Sequence, residues 1–399
     1  MSHTRKMWAL IAVLMVVSMV ISACQPAATP APTAAPTTAP KPTTPPPAPT
    51  AAPTAVPVTM LSKAAPDCTW GGTLKSIEAK DDTTVVFTMC TPDPAFPSKA
   101  AFASLAIQSA AHLTASGGKP LEDALGTGAY MVKEWVRGDH LTLVPNPNYW
   151  GDKPKTGTVI FKWNKEAAAR LTSLKSGEID GMDNPDPNDF KAIEADATLK
   201  LYPRVALNVF YLGINNTKPP FDNEKVRQAI GMGIDRQAIV DKYYPVGSSV
   251  ADYFTPCAIP GGCEGDPWYK FDPVAAKALL AGVTMPKGIT LSYRDVVRGY
   301  LPTPGKVAEE LQAQLKKNLG IDVTIDVQES GTFLDNSSKG NLSLHLLGWG
   351  ADYPDQTDFL DYHFGKGASA QFGTKFDDLT AVLAQAASLA DQTARNKLY

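Results

Sequence analysis

Leu346-Leu347-Gly348-Trp349-Gly350-Ala351-Asp352-Tyr353-Pro354-Asp355 is the stretch on which the reading of this chain turns. Residues 342–347 carry leucines at 342, 344, 346 and 347 around Ser343 and His345, a largely apolar stretch that predicts a β-strand. The strand ends in an aromatic, two glycines and two acids. Gly348 and Gly350 carry no Cβ, so another backbone can approach closely there. Pro354 has no N–H to give to a ladder and marks where pairing must stop.

On either side of this stretch the sequence alternates between the period of a strand and that of a helix. Residues 73–79 and 84–90 alternate around Lys80-Asp81-Asp82, which predicts a hairpin. Strands are expected at 129–136, 140–144 and 158–163, with Asn146-Pro147-Asn148-Tyr149-Trp150-Gly151 as a rigid structural loop. Residues 165–176 place Ala168, Leu171 and Leu174 on one helix face, and Gly177 suits the C-cap. Residues 199–202 and 207–214 read as strands, the second apolar enough to be buried on both faces.

Asp222 or Asn223 caps a helix with the stripe Val226, Ala229, Ile230 and Gly233, and Asp235 caps the next. Asp272-Pro273 supplies a cap and an N1 proline. Residues 304–318 are amphipathic through Val307, Leu311 and Leu315 and stop at Gly320. A strand follows at 321–327 and a helix at 378–389. Strands and helices alternate without a short repeat. That predicts an α/β protein with mixed sheets and more than one lobe.

The front of the chain reads differently. Arg5 and Lys6 precede an apolar run over residues 7–20, which is the pattern of an export signal and is short for a membrane span. Ile21-Ser22-Ala23-Cys24 then resembles a bacterial lipobox, in which the cysteine carries the lipid. Residues 25–57 are almost entirely Pro, Ala and Thr, with Lys41 their only charge. Such a segment cannot bury a core and favours extended polyproline II. At ~3.1 Å per residue it reaches on the order of 100 Å, enough for a tether. Residues 1–23 are therefore expected to be a lipoprotein signal peptide, and 24–66 a lipid-anchored disordered linker. Two or more acyl chains anchor stably where one is marginal.

About 330 residues remain after the linker, more than one core usually holds. A formal net charge of −3 with no basic cluster among aromatics gives no case for nucleic acid. Four cysteines are left once Cys24 is assigned, an even number that suggests disulfides in an exported chain. Cys257 and Cys263 close a short turn and are paired. Cys68 and Cys90 flank the first hairpin and pair by elimination. His3, His112, His140, His345 and His363 lie scattered, so no metal site is expected. No cofactor is expected either. The chain has no Gly-x-Ser-x-Gly elbow, no His-Glu-x-x-His and no P-loop.

Several stretches, taken in order, carry a further signal. They are Gly126-Thr127-Gly128-Ala129-Tyr130 with Glu134-Trp135-Val136-Arg137-Gly138-Asp139, the loop at 146–151, and Leu174-Lys175-Ser176-Gly177-Glu178-Ile179-Asp180. Asn215-Asn216, Pro219-Pro220-Phe221-Asp222-Asn223, Val226-Arg227-Gln228-Ala229-Ile230 and Ile234-Asp235-Arg236 complete the set. From about residue 73 to 399 the chain resembles the family 5 extracellular solute-binding proteins, the peptide and oligopeptide binders of ABC importers. The resemblance implies a two-lobed, periplasmic-binding-protein type II-like (Venus-flytrap) architecture. Residues 67–206 would supply a partial first lobe and 207–399 the second.

By position Asp352 matches the aspartate that pairs with a ligand's α-ammonium in the peptide-binding members. Trp349 and Tyr353 would wall that pocket, Gly350 would let the ligand come close, and Trp268 is a weaker cleft candidate. The alternative for Asp352 is a turn cap before Pro354; Asp355 and Asp358 are expected to be solvated or capping. The family's ligands also include sugars and metal complexes, and Trp349 could equally stack on a sugar ring. A hydrolase using paired carboxylates, Asp352 with Asp355, is the enzymatic rival. The resemblance otherwise implies no catalysis, a monomer, a membrane permease as partner, and a place on the extracytoplasmic face of the membrane. Family members carry further sequence before the hairpin and beyond residue 399, so both lobes are expected to be incomplete here.

Overall fold

The computed structural model of the chain describes residues 61–118, 124–205 and 207–399. The expected signal peptide, Cys24 and residues 25–60 of the linker lie outside the described residues. Three sheets organise the rest. Strands β1 (Ser62–Ala64), β2 (Leu74–Asp81) and β3 (Thr84–Met89) pair antiparallel in that order. The β2–β3 turn forms because Asp81 accepts the N–H of Thr83 at 3.0 Å, a local bond that bends the chain back. Strands β4 (Tyr130–Val136), β5 (His140–Pro145) and β6 (Val159–Lys162) form an antiparallel meander. Asn146 locks its end, donating to Gly128 O at 2.9 Å and accepting from Asn148 N at 3.0 Å.

The third sheet has four strands, β7 (Asn208–Ile214), β8 (Ile289–Arg294), β9 (Val323–Gln328) and β10 (Leu344–Gly350), in the order β7-β10-β8-β9. β10 runs antiparallel to β7 and parallel to β8, and β8 runs parallel to β9. Because side chains alternate along a strand, β10 serves two cores. Leu344 and Leu346 are buried in a cluster with Val226, Ala229 and Ile230 of the helix Glu224–Gly233. Val307, Ala308 and Leu311 of the helix Pro304–Gln314 join the same cluster. Each such leucine contributes roughly 1.5–3 kcal/mol by leaving water. The alternate residues of β10, His345 and Trp349, face aromatic rings on the other side.

The helix ends follow from their residues. Asn223 accepts from Lys225 N at 3.0 Å and Asp235 from Ala238 N at 3.0 Å, each satisfying a donor the first turn leaves free. Gly320 takes the left-handed conformation, φ 73°, that ends the turn after residue 319.

The structure departs from expectation in several places. Residues 199–202 form no strand. β7 is not buried on both faces: it lies at the sheet edge, and β10 and β8 are the inner strands. β10 extends to Gly350, so Trp349 and Gly350 are in the ladder, opposite Val209 and Asn208, rather than after it. Residues 62–64, assigned to the linker, pair with β2 because that strand's edge offers free backbone groups. The cysteine pairs 68/90 and 257/263 are brought to disulfide-bonding distance, with Cα separations of 5.5 and 4.8 Å.

Candidate functional site

The four-stranded sheet ends at a large cleft of ≈ 3300 Å³. Its walls combine β7, residues 198–205, Leu207, and aromatic side chains that include Tyr211, Tyr300 and Phe372. β10 reaches it at Gly350 and Ala351. The two glycines of the opening motif do different jobs. A Cβ on Gly348 would fall 2.3 Å from the Tyr300 ring, so Gly348 is where an aromatic of the wall closes on the strand. A Cβ on Gly350 would meet nothing nearer than Asn208 Cβ at 4.0 Å, so its backbone faces open space.

The loop after β10 is held by its own acids. Asp358 is 2% exposed and its Oδ2 accepts the N–H of Asp352 at 2.8 Å. Burial, with some repulsion from Asp352, pushes the Asp358 carboxyl up to about 6 despite the backbone N–H it accepts. Asp355 accepts from Thr357 N at 2.9 Å and Thr357 Oγ1 at 2.7 Å, capping the short turn Gln356–Asp358. Both its oxygens also take the guanidinium of Arg395, at 2.6 and 2.7 Å. Although burial opposes it, Arg395 and the Thr357 bonds hold the Asp355 carboxyl below its ordinary range. Neither acid is solvated. Asp352 differs from both: its side chain is exposed and makes no hydrogen bond or ion pair among the described residues. It caps no turn.

Trp349 is half-buried and stacks on Tyr362, ring centres 4.2 Å apart, with the edge of His363 at 5.2 Å. Its indole N–H is buried and reaches no acceptor in good geometry among the described residues, although Asp358 is close enough to be influenced by it. The Tyr353 hydroxyl sits 3.2 Å from Thr357 Oγ1, and burial pushes that phenol up to about 12. Trp268 is half-exposed in the cleft wall, its backbone N–H donating to Asp252 O at 2.8 Å. The structure thus puts Gly350 and Trp268 in the cleft wall. Trp349, Asp352 and Tyr353 flank its β10 side without lining it.

His345 and His363 come together through shared rings rather than a shared ion. Tyr211 lies edge-on to both, 6.4 and 5.8 Å away, and Phe372 borders both at 6.1 and 6.2 Å. Burial pushes each imidazole down to about 4; a bond to Phe359 O, 2.6 Å from Nδ1, only partly offsets this for His363. No group of three or more metal-ligating side chains occurs among the described residues. Sequence reasoning passed over Tyr300 and Arg395, and took Asp358 as solvated or capping rather than as the buried acceptor of the Asp352 N–H. Tyr300 and Arg395 lie 48 and 40 residues from the positions they touch, Gly348 and Asp355, and carry no local pattern that ties them there. The three-residue spacing of Asp352, Asp355 and Asp358 was the one signal available for the acids.

A concave cleft at the end of an α/β sheet is a usual place for a ligand pocket. This chain belongs to the bacterial extracellular solute-binding proteins, family 5, whose middle-region model matches residues 26–371. It is similar to the dipeptide-binding protein of Escherichia coli K12, 29% identical over 305 residues, covering 75% of this chain and 57% of the relative. It is also similar to heme-binding protein A of Haemophilus influenzae, 28% identical over 339 residues, covering 82% and 61%. Among solved structures it matches the ABC transporter-associated periplasmic binding protein DppA of Helicobacter pylori in complex with the peptide STSA. There the TM-score is 0.72 at 28% identity, covering 82% of this chain and 65% of that one. The fold class is the two-lobed α/β periplasmic-binding type. The chain spans about three fifths of the length of the curated relatives it matches.

Proposed function

We propose that this protein is the extracytoplasmic solute-binding subunit of an ABC importer, capturing short peptides and handing them to a membrane permease. One observation carries this reading. Of the three acids after β10, Asp355 and Asp358 are committed to Arg395 and to the Asp352 N–H, and Asp352 alone presents an uncommitted carboxylate. It follows directly on Gly350 and Ala351, where the strand backbone borders the cleft. An α-ammonium brought there meets a full negative charge beside backbone that a peptide can approach. Closure of the cleft by hinge motion lowers the dielectric around that pair. Trp268 then supplies aromatic surface for side chains in the cleft wall, and Trp349 and Tyr353 border it on the β10 side.

The same reading covers the rest of the chain. Cys24 carries the lipid, residues 25–57 act as the tether, and the body works as a monomer outside the cytoplasmic membrane. The pairs 68/90 and 257/263 are disulfides suited to that oxidising side. The protein catalyses nothing. Against the rival with Asp352 and Asp355 as paired carboxylates, the Arg395 guanidinium binds both Asp355 oxygens and disfavours proton uptake there. The similarity to a haem-binding relative favours one second reading, a metal complex as ligand.

Native mass spectrometry of the full chain purified without denaturation tests these readings. Bound masses fitting a mixture of short peptides support the first. A single adduct with the mass and visible absorption of a metalloporphyrin supports the second and overturns the first.

A further inference from the structure

The helix Gln392–Leu398 and the residue that follows it touch residues 355–361 at three points, and the ligand reading above makes no use of them. Arg395 Nη1 and Nη2 donate to the two oxygens of Asp355, while its Nε donates to Ala386 O at 3.2 Å. The Gln356 amide donates to Asn396 Oδ1 at 3.4 Å. The Tyr399 hydroxyl donates to Asp361 Oδ2 at 2.9 Å, and the Arg395 guanidinium lies 5.2 Å from the centre of the Tyr399 ring. Arg395 is 1% exposed.

From Asp355 the contacts run inward. Asp355 holds Thr357 by backbone and hydroxyl, and the Thr357 hydroxyl meets that of Tyr353. Asp358, the next residue, holds the Asp352 N–H. The main chain of Asp352 and the side chain of the residue after it, Tyr353, are therefore linked through Asp358 and its neighbour Thr357 to one side chain, 43 positions from Asp352 in sequence. A buried ion pair adds little net stability over apolar residues of the same shape, and its best-attested contribution is register. A planar guanidinium bound through two parallel N–H donors fixes orientation as well as distance, which an ammonium does not.

We propose that Arg395 is a positioning residue for ligand recognition: by clamping Asp355 it sets where Asp352 presents its carboxylate to the ligand's ammonium group. This rests on the reading of Asp352 given above. Loss of the clamp should therefore affect the preference for a free amine more than binding as such.

Calorimetry of the full chain with trialanine and N-acetyl-trialanine measures that preference as a ratio of affinities. The proteins compared are the unaltered chain, Asp352→Asn, Arg395→Met and Arg395→Lys. The expected result is a ratio that falls at least about tenfold in Arg395→Met, with Arg395→Lys between the two. Faster hydrogen exchange at the Asp352 amide should accompany it. If Arg395→Met weakens both peptides by the same factor, or leaves the ratio unchanged, Arg395 only supports the fold and the inference fails. If Arg395→Met does not fold, Arg395→Lys decides on the same ratio, since it keeps the charge and loses the fork. A chain that fails to prefer the free amine before any substitution sinks the reading of Asp352 itself, which is a separate result.

Discussion

The backbone N–H of Asp352 donates to Oδ2 of Asp358 at 2.8 Å, so the exposed acid at the end of β10 hangs from a buried one. The bond uses the main chain of Asp352 and leaves its carboxylate free. Substituting that side chain therefore need not disturb the loop.

Asp352→Asn is expected to fold with an unchanged melting temperature and to bind free-amino peptides more weakly by roughly 2–5 kcal/mol, the usual cost of removing one partner of an enclosed charge pair. N-acetylated peptides carry no ammonium and should lose little. Calorimetry with matched pairs checks this, and equal losses would show that Asp352 does not face the amine.

Four buried groups make the pH dependence of stability informative. His345 and His363, held near 4, favour the folded state fully above about 6.5, and that contribution is lost as pH falls toward 4. Asp358 and Asp361 have the opposite sign. Burial raises both to about 6, so their contribution is present below 3.8 and lost as pH rises through about 6. Between roughly pH 4.5 and 6 the two effects cancel in proton count, and the unaltered protein should show a nearly flat stability profile. The lowered acids Asp355, Glu310 and Glu329 act below about pH 5, so the flat stretch is read between roughly 5 and 6, and the raised His140 acts above it. Asp358→Asn removes one of the opposing carboxyls and keeps an acceptor for the Asp352 N–H. Its stability should climb with pH across the window by about 1.4 kcal/mol per unit, which urea titrations at three pH values would resolve.

Two glycines separate fold from function. A Cβ on Gly213 would fall 2.2 Å from His345 Nε2, and the ring has no room to retreat between Tyr211, Phe333 and Phe372. Gly213→Ala should lower stability by about 1–3 kcal/mol through overpacking. Gly350→Ala meets no protein atom closer than 4.0 Å and should leave the melting temperature unchanged. Its effect should appear as weaker peptide binding. A stability loss at residue 350 with normal affinity would remove that backbone from the ligand path.

Much of this architecture was legible because it is written in neighbouring residues. The caps Asn223, Asp235 and Asp272, the stripe Val226-Ala229-Ile230 and the stop at Gly320 each act over a single helical turn. The hairpin at 74–89 rests on alternation and one aspartate. The ordered family stretches likewise pointed to the solute-binding fold. Tertiary context overrode or hid other elements. β8 was missed although Ile289, Leu291 and Tyr293 alternate with Thr290 and Ser292; Ser292 is buried there with its hydroxyl donating to Asp326 Oδ2 at 2.9 Å on β9. The helix Ser330–Ser338 is rich in residues of middling helix propensity and forms with Phe333 buried and Glu329 as its cap.

The sequence by itself determined the helix caps, the apolar helix stripes, the first hairpin and the candidate acid Asp352, since all of these depend on side chains a few positions apart. Only the tertiary structure decided which strands lie inside the sheet, that Gly348 admits Tyr300 while Gly350 stays open, and that Asp355 is spent on Arg395. Those outcomes depend on contacts 40 or more residues apart for Gly348 and Asp355, and on strand pairing for the sheet. The physical reason is that closing such distances is a property of the whole core: many weak apolar contacts pay the loop entropy together, and no single spacing in the chain records the result.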